Sequence, residues 1–147
     1  FSLPNDRGEL VTNRDLAGSW TVLYAYPKDA TPGCTQEACD FRDAWARLQA
    51  MGVRVLGISR DSLASHGKFI AKQDLPFGLL SDPDATLLKA LGAFGPKVSC
   101  GRQSEGILRS TFLVDPEGIV RHAWLKVSVK GHVQAVLDDV ARRCVQA

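Results

Sequence analysis

No apolar stretch in this 147-residue sequence is long enough to cross a bilayer: the longest, around residues 20–26, falls far short of the ~20 residues a spanning helix needs. Neither sign of charge dominates. Eighteen Lys and Arg stand against 16 Asp and Glu, a formal net charge of +2. The longest basic cluster is the Arg142-Arg143 pair, so the electrostatic footprint of a nucleic-acid partner is missing. Internal repeats, low-complexity tracts and linker-like segments are absent too, which removes disordered and collagen-like classes. There is no initiating Met, and no charged start followed by an apolar stretch, so no signal peptide is visible. The chain opens inside a strand at 1–4 and is expected to have lost residues upstream; a cytoplasmic location is the expectation. What remains is an ordinary globular composition, 45% hydrophobic and 23% charged. One domain over 1–147 fits this length, burying roughly two-thirds of its unfolded surface and needing neither disulfide nor metal to fold.

Turn signals are dense and evenly spread. Residues 1–3 and 9–11 flank Asn5-Asp6-Arg7-Gly8 and read as a small hairpin. Residues 19–26 read as a buried strand, rich in β-branched and aromatic side chains. Thr31-Pro32 opens a helix to about Met51, with Phe41, Trp45 and Leu48 on one face and Gly52 as its left-handed stop. A strand at 53–59, a helix at 62–72 capped by Asp61, a short strand at 77–80 and a short helix at 83–91 follow. Strands at 107–114 and 119–125 flank the hairpin signal Asp115-Pro116-Glu117-Gly118. The last helix, 131–144, carries the stripe Val133, Val136, Leu137 and Val140. The order gives an α/β protein: a central mixed β-sheet flanked by helices on both faces, with an N-terminal β-hairpin. A strand, a loop and then a helix with Cys at its start is the thioredoxin-like arrangement.

The four cysteines are Cys34, Cys39, Cys100 and Cys144. The Cys34-x4-Cys39 spacing is neither the C-x-x-C of thioredoxins nor that of zinc ribbons. Position carries more than spacing. With Thr31 as N-cap and Pro32 as the first helical residue, Cys34 falls in the first turn, facing unsatisfied N–H groups and the positive end of the helix dipole. Both favour thiolate over thiol, which nucleophilic and redox chemistry require; the bland alternative is a small buried hydrophobe. Arg109 sits in the otherwise apolar Ile107-Leu108-Arg109-Ser110-Thr111-Phe112. A guanidinium in a central strand is costly unless an anion meets it, and a neighbouring Cys34 thiolate would serve; otherwise it is an edge Arg reaching solvent. Residues five apart on a helix have Cα atoms ~8–9 Å apart. A disulfide needs them within about 7 Å, so any Cys34–Cys39 bond requires the helix start to unwind.

The stretch Tyr24-Ala25-Tyr26-Pro27-Lys28-Asp29-Ala30-Thr31-Pro32-Gly33-Cys34-Thr35-Gln36-Glu37-Ala38-Cys39 resembles the active-site segment of the peroxiredoxins, and more narrowly of the bacterioferritin comigratory protein, or Q-type, subfamily. The similarity continues through Val55-Leu56-Gly57-Ile58-Ser59, Leu79-Leu80-Ser81-Asp82, Arg109-Ser110-Thr111-Phe112-Leu113-Val114-Asp115 and Gly131-His132, across essentially the whole chain. The resemblance implies a thiol peroxidase with Cys34 as peroxidatic and Cys39 as resolving cysteine. Thr31 would hydrogen-bond the thiolate and orient the peroxide, and Pro32 would shield the sulfur. Arg109 would hold sulfur and peroxide together, N–H groups near Gly33 and Cys34 would complete the site, and Glu37 would support it from behind. Hydrogen peroxide and alkyl hydroperoxides would be substrates, thioredoxin or glutaredoxin the reductant, and monomer the assembly; no metal, flavin or nucleotide is needed.

Three other readings stand beside this one. A thioredoxin-like disulfide oxidoreductase would want C-x-x-C, and a copper- or zinc-binding module of that fold would want closer cysteines and a facing His. A purely structural cysteine pair would be inert toward peroxide. Cys100, in a loop at 95–101, is a possible competitor as resolving thiol, and Cys144 reads as structural. His66, His122 and His132 are scattered and read as surface or core residues, as do Trp20, Phe41, Trp45 and Trp124 as core.

Overall fold

Residues 21–25 are buried on both faces of one strand, and the sheet is built around it. The structure is a computed structural model that describes residues 1–99 and 101–144. The chain begins with β1 (Ser2–Pro4), β2 (Leu10–Thr12) and a 3-10 turn (Asn13–Leu16), followed by β3 (Trp20–Ala25), α1 (Pro32–Ala50) and β4 (Val53–Ser59). Next come α2 (Leu63–Gln73), β5 (Gly78–Ser81), α3 (Thr86–Ala90), β6 (Phe94–Ser99) and β7 (Arg102–Ile107). The chain closes with β8 (Ser110–Val114), β9 (Val120–Trp124) and α4 (His132–Cys144). The central sheet has the order β5-β4-β3-β8-β9. β3, β4 and β5 are parallel neighbours, while β8 and β9 run antiparallel.

Strand side chains alternate between two cores. Val22, Tyr24 and Tyr26 face Phe41 and Leu48 of α1, Phe69 of α2, and Val136 and Val140 of α4. Leu23 and Ala25 face the other way, toward Leu56, Ile58, Leu88 of α3, Ile107 and Phe112. The helical face of α1 that meets the sheet runs Cys34, Glu37, Ala38, Phe41, Ala44 and Leu48, the i, i+3, i+4, i+7 repeat of a half-buried helix. Trp45 lies at its margin, partly buried. The β5 edge is covered by the N-terminal loop, where Asn5 bridges Leu80 and the Asp6 carboxylate accepts from the Leu79 N–H at 3.2 Å.

Four sequence expectations need correction. Residues 95–99 belong to the β6–β7 ribbon rather than to a loop; its Gly-Pro start and mostly exposed second strand leave no alternating pattern to read. The strand expected at 107–114 is interrupted, since β7 ends at Ile107 and β8 begins at Ser110, leaving Arg109 in the link. α2 is capped by Ser62, whose hydroxyl accepts from the Ser65 N–H at 3.2 Å, while Asp61 serves elsewhere. The third helix is only Thr86–Ala90. Cys100 lies outside the described residues, as does the side chain of Cys144.

Candidate active site

β3 delivers the chain to α1 at the sheet's centre, and the register of its neighbour decides what Cys34 meets. Ala25 at the end of β3 pairs with Ser110 at the start of β8. The residue before Ser110 is therefore presented where the β3–α1 loop turns into the helix. That residue is Arg109, with its carbonyl fixed by the Val127 N–H at 2.9 Å.

Cys34 is the third residue of α1 and is buried, 1% exposed. Arg109 Nη2 donates to Cys34 Sγ at 3.3 Å, and Nη1 donates to Glu37 Oε1 at 2.7 Å. One fork thus bridges two groups a helical turn apart on the buried face of α1. Burial works against the Arg109 cation, but Glu37 and Cys34 together raise it above its ordinary value. Burial pushes the Glu37 carboxyl up to about 7, the nearby guanidinium opposing it. Glu37 Oε2 and the Tyr24 hydroxyl are both buried without a partner. Behind the guanidinium, His132 bonds Thr111 Oγ1 at 2.7 Å. Burial, and then the Arg109 charge, lowers this ring to about 4, so it stays neutral beside the site.

The rim of the site differs in detail from expectation. The Thr31 hydroxyl donates to the Lys28 carbonyl at 2.9 Å, and having one proton it does not donate to the sulfur. It makes no side-chain cap, which leaves the first-turn N–H groups of Gly33 and Cys34 uncapped by it. Pro32 is the first helical residue and is exposed. Gly33 permits the close approach of Arg109: a Cβ there would lie 3.2 Å from Nη2 and 3.9 Å from Val129 Cγ2. Cys39 lies in the same unbroken helix, half-buried, with its thiol 3.5 Å from Gln73 Oε1 at the end of α2.

Sequence reasoning missed a second polar cluster, beside the loop that leads into α1. The buried Asp29 carboxylate accepts from Tyr26 OH at 2.6 Å and Ser65 Oγ at 2.8 Å, and pairs with His66 Nδ1 at 2.8 Å. His66 Nε2 reaches the Leu80 carbonyl at 3.0 Å, and the Asp29 N–H donates to Asp61 at 2.9 Å. Burial opposes the Asp29 charge, but bonds from His66 and Tyr26 hold it below its ordinary value. Asp29, Asp61 and His66 place ligand-type atoms within 4.8 Å of one another. Those atoms are already engaged with hydroxyls, a backbone N–H and each other, so the cluster anchors the β3–α1 loop. The signal was the pairing of Pro27-Lys28-Asp29 with Ser65-His66, which only the fold brings together.

A cysteine in the first turn of a helix, under a guanidinium that also grips a buried carboxyl, is an arrangement suited to thiol chemistry. The chain belongs to the AhpC/TSA family, which it matches over residues 1–123, and within that family to the peroxiredoxins, which are peroxidases. A bcp relative from Coxiella burnetii is 50% identical over 137 residues, 93% of this chain and 91% of that protein. Peroxiredoxin Bcp of Bacillus subtilis is 47% identical over 140 residues, 95% of this chain and 89% of that protein. Among solved structures, the Xanthomonas campestris bacterioferritin comigratory protein, described for its alkyl peroxide reduction, is 44% identical. It matches with a TM-score of 0.93 over 98% of this chain and 92% of that one, so the fold is thioredoxin-like, as expected from the sequence.

Proposed function

We propose that this chain reduces hydrogen peroxide and alkyl hydroperoxides through a Cys34 sulfenic acid and a Cys34–Cys39 disulfide. The observation that carries the reading is the Arg109 fork, 3.3 Å from Cys34 Sγ and 2.7 Å from Glu37 Oε1. A negatively charged sulfur attacks the nearer peroxide oxygen, the O–O bond breaks, and water or an alcohol leaves with the second oxygen. Charge builds on that leaving oxygen, where donors fixed in advance are worth most. Arg109 and the N–H groups of Gly33 and Cys34 supply them. Thr31, its proton committed to Lys28, offers lone pairs that accept the peroxide O–H and orient it. Pro32, exposed at the helix start two residues before Cys34, would shield the sulfur from water, and Glu37 would set the position of the guanidinium.

Resolution follows when the first turns of α1 unwind, because Cys34 and Cys39 stand five apart on an intact helix. An external dithiol, thioredoxin or glutaredoxin, then restores both thiols by exchange. Every group the cycle uses lies on one chain and one domain, which suits a monomer. The cytoplasm, where thiols are kept reduced, suits the cycle. Among the described residues no helix is long and apolar enough to cross a membrane.

The test is stopped-flow oxidation by hydrogen peroxide followed by mass mapping of the product. Cys34→Ser is expected to abolish turnover, and Cys39→Ser to give one fast oxidation and then stall. Continued thioredoxin-supported cycling of Cys39→Ser at the wild-type rate would remove Cys39 from the cycle and turn attention to Cys100.

A further inference from the structure

The thiol of Cys39 has a partner on another helix. Cys39 Sγ donates to the side-chain oxygen of Gln73 at 3.5 Å, and Gln73 is the last residue of α2. One turn further along α1, Arg42 Nη1 donates to the backbone carbonyl of the same Gln73 at 2.7 Å. The end of α2 therefore holds two successive turns of α1, one point in each, and one of the points is the sulfur that must travel to Cys34. We propose that Gln73 is a positioning residue for Cys39: it keeps the thiol docked on α2, so that disulfide formation waits for this bond to break. The inference rests on Cys39 being the resolving cysteine.

The consequence is a partition. In resolution, Cys39 sulfur attacks the Cys34 sulfenic acid; the S–S bond forms, the S–O bond breaks, and the thiol proton leaves with the hydroxyl as water. Cys39 sulfur is oxidised and Cys34 sulfur reduced. In the competing step a second peroxide oxidises the sulfenic acid to sulfinic acid, its own O–O bond breaking to release water or alcohol. A docked Cys39 gives the second peroxide more time. Gln73 thereby sets the peroxide concentration at which the enzyme begins to inactivate itself.

The experiment uses the full chain with Gln73→Met, which keeps length and removes the acceptor, and Gln73→Glu, which keeps an acceptor oxygen. Rapid-mixing kinetics would follow sulfenic acid decay and disulfide appearance, with mass spectrometry counting sulfinic acid at rising hydrogen peroxide. Gln73→Met is expected to resolve roughly three- to fivefold faster, the weight of one modest hydrogen bond. It should also need a proportionately higher peroxide concentration for the same sulfinic fraction. Gln73→Glu should resolve no faster than wild type. A structural effect on α2 would act whether or not Cys39 is present, so the same Gln73→Met change is made in a Cys39→Ala chain. There the rate of sulfinic acid formation should not change. The proposal is overturned if Gln73→Met resolves at the wild-type rate, if Gln73→Glu is as fast as Gln73→Met, or if the effect persists without Cys39. Mapping of the wild-type disulfide separates the two levels. A Cys34–Cys39 bond with no effect of Gln73 sinks this inference alone, whereas a disulfide lacking Cys39 sinks the reading beneath it.

Discussion

Gly33 has no side chain, and the Arg109 guanidinium uses the space that leaves. A methyl group at this position would lie 3.2 Å from Nη2, closer than ordinary contact, while the guanidinium is held on its other sides by Glu37 and Cys34. Elsewhere in a helix, Gly→Ala adds about 0.5–1 kcal/mol of stability. Gly33→Ala is therefore expected to change stability by no more than about 1 kcal/mol, the helix gain offset by crowding of the guanidinium, while the first oxidation by hydrogen peroxide slows roughly tenfold as the donors are pushed off position. Denaturant unfolding and stopped-flow oxidation on the same preparation would check it; an unchanged rate would mean that the position of Nη2 does not matter to the chemistry. Glu37 holds the opposite side of the fork. At 0% exposure and with one oxygen unpartnered, its carboxyl is pushed up to about 7 by burial, the guanidinium beside it opposing the shift.

At the scale of elements, the site depends on how the β3–α1 loop is anchored. Asp29 is the acceptor for Tyr26 just past the end of β3 and for Ser65 and His66 at the start of α2, and Ala30 beside it is held at φ 63°, in the left-handed region. Asp29→Ala would strip two buried groups, Tyr26 OH and His66 Nδ1, and the half-buried Ser65 hydroxyl of their acceptor, and should destabilise the protein by roughly 3 kcal/mol. It should also speed hydrogen exchange in the first turns of α1 more than in β4; equal changes in both would show the anchor to be global rather than local. None of this was legible in the sequence, because a buried His in Leu63-Ala64-Ser65-His66 looks like an exposed one until the partner carboxylate arrives from 37 residues away. The position of Cys34, the proposed nucleophile, was legible for the opposite reason. A Pro at the first helical position and a Cys two residues later are local features, fixed by backbone chemistry within one turn. Arg109 stands between these cases: its oddity in an apolar stretch was visible, but its place in a link before β8 depends on where the β3 register ends. The β6–β7 ribbon escaped notice because it buries no continuous face that would impose a period on its side chains.

Across the whole molecule, the site's two displaced titrations offset each other. Glu37 keeps its proton to about 7 in the folded chain but releases it near 4.5 when unfolded, so its contribution is complete below pH 4.5 and is lost as pH rises through 7. His132 stays neutral down to about 4 when folded but takes up a proton near 6.5 when unfolded, so its contribution is complete above 6.5 and is lost as pH falls toward 4. Between pH 4.5 and 6.5 the folded chain holds one proton on this pair, on Glu37, and the unfolded chain also holds one, on His132. Their slopes cancel. Asp29, Asp115 and Asp139 are all held below the ordinary 3.8 and titrate outside this window. Glu37→Gln removes one half of the balance. The unfolded chain then binds more protons than the folded one across the window, so stability should rise with pH from 4.5 to 6.5, by up to about 3 kcal/mol. His132→Gln should give the reverse, a fall over the same range. Denaturant unfolding at half-unit pH steps would measure both, and a Glu37→Gln profile as flat as the wild type would mean that Glu37 is ionised in the folded site well below neutrality.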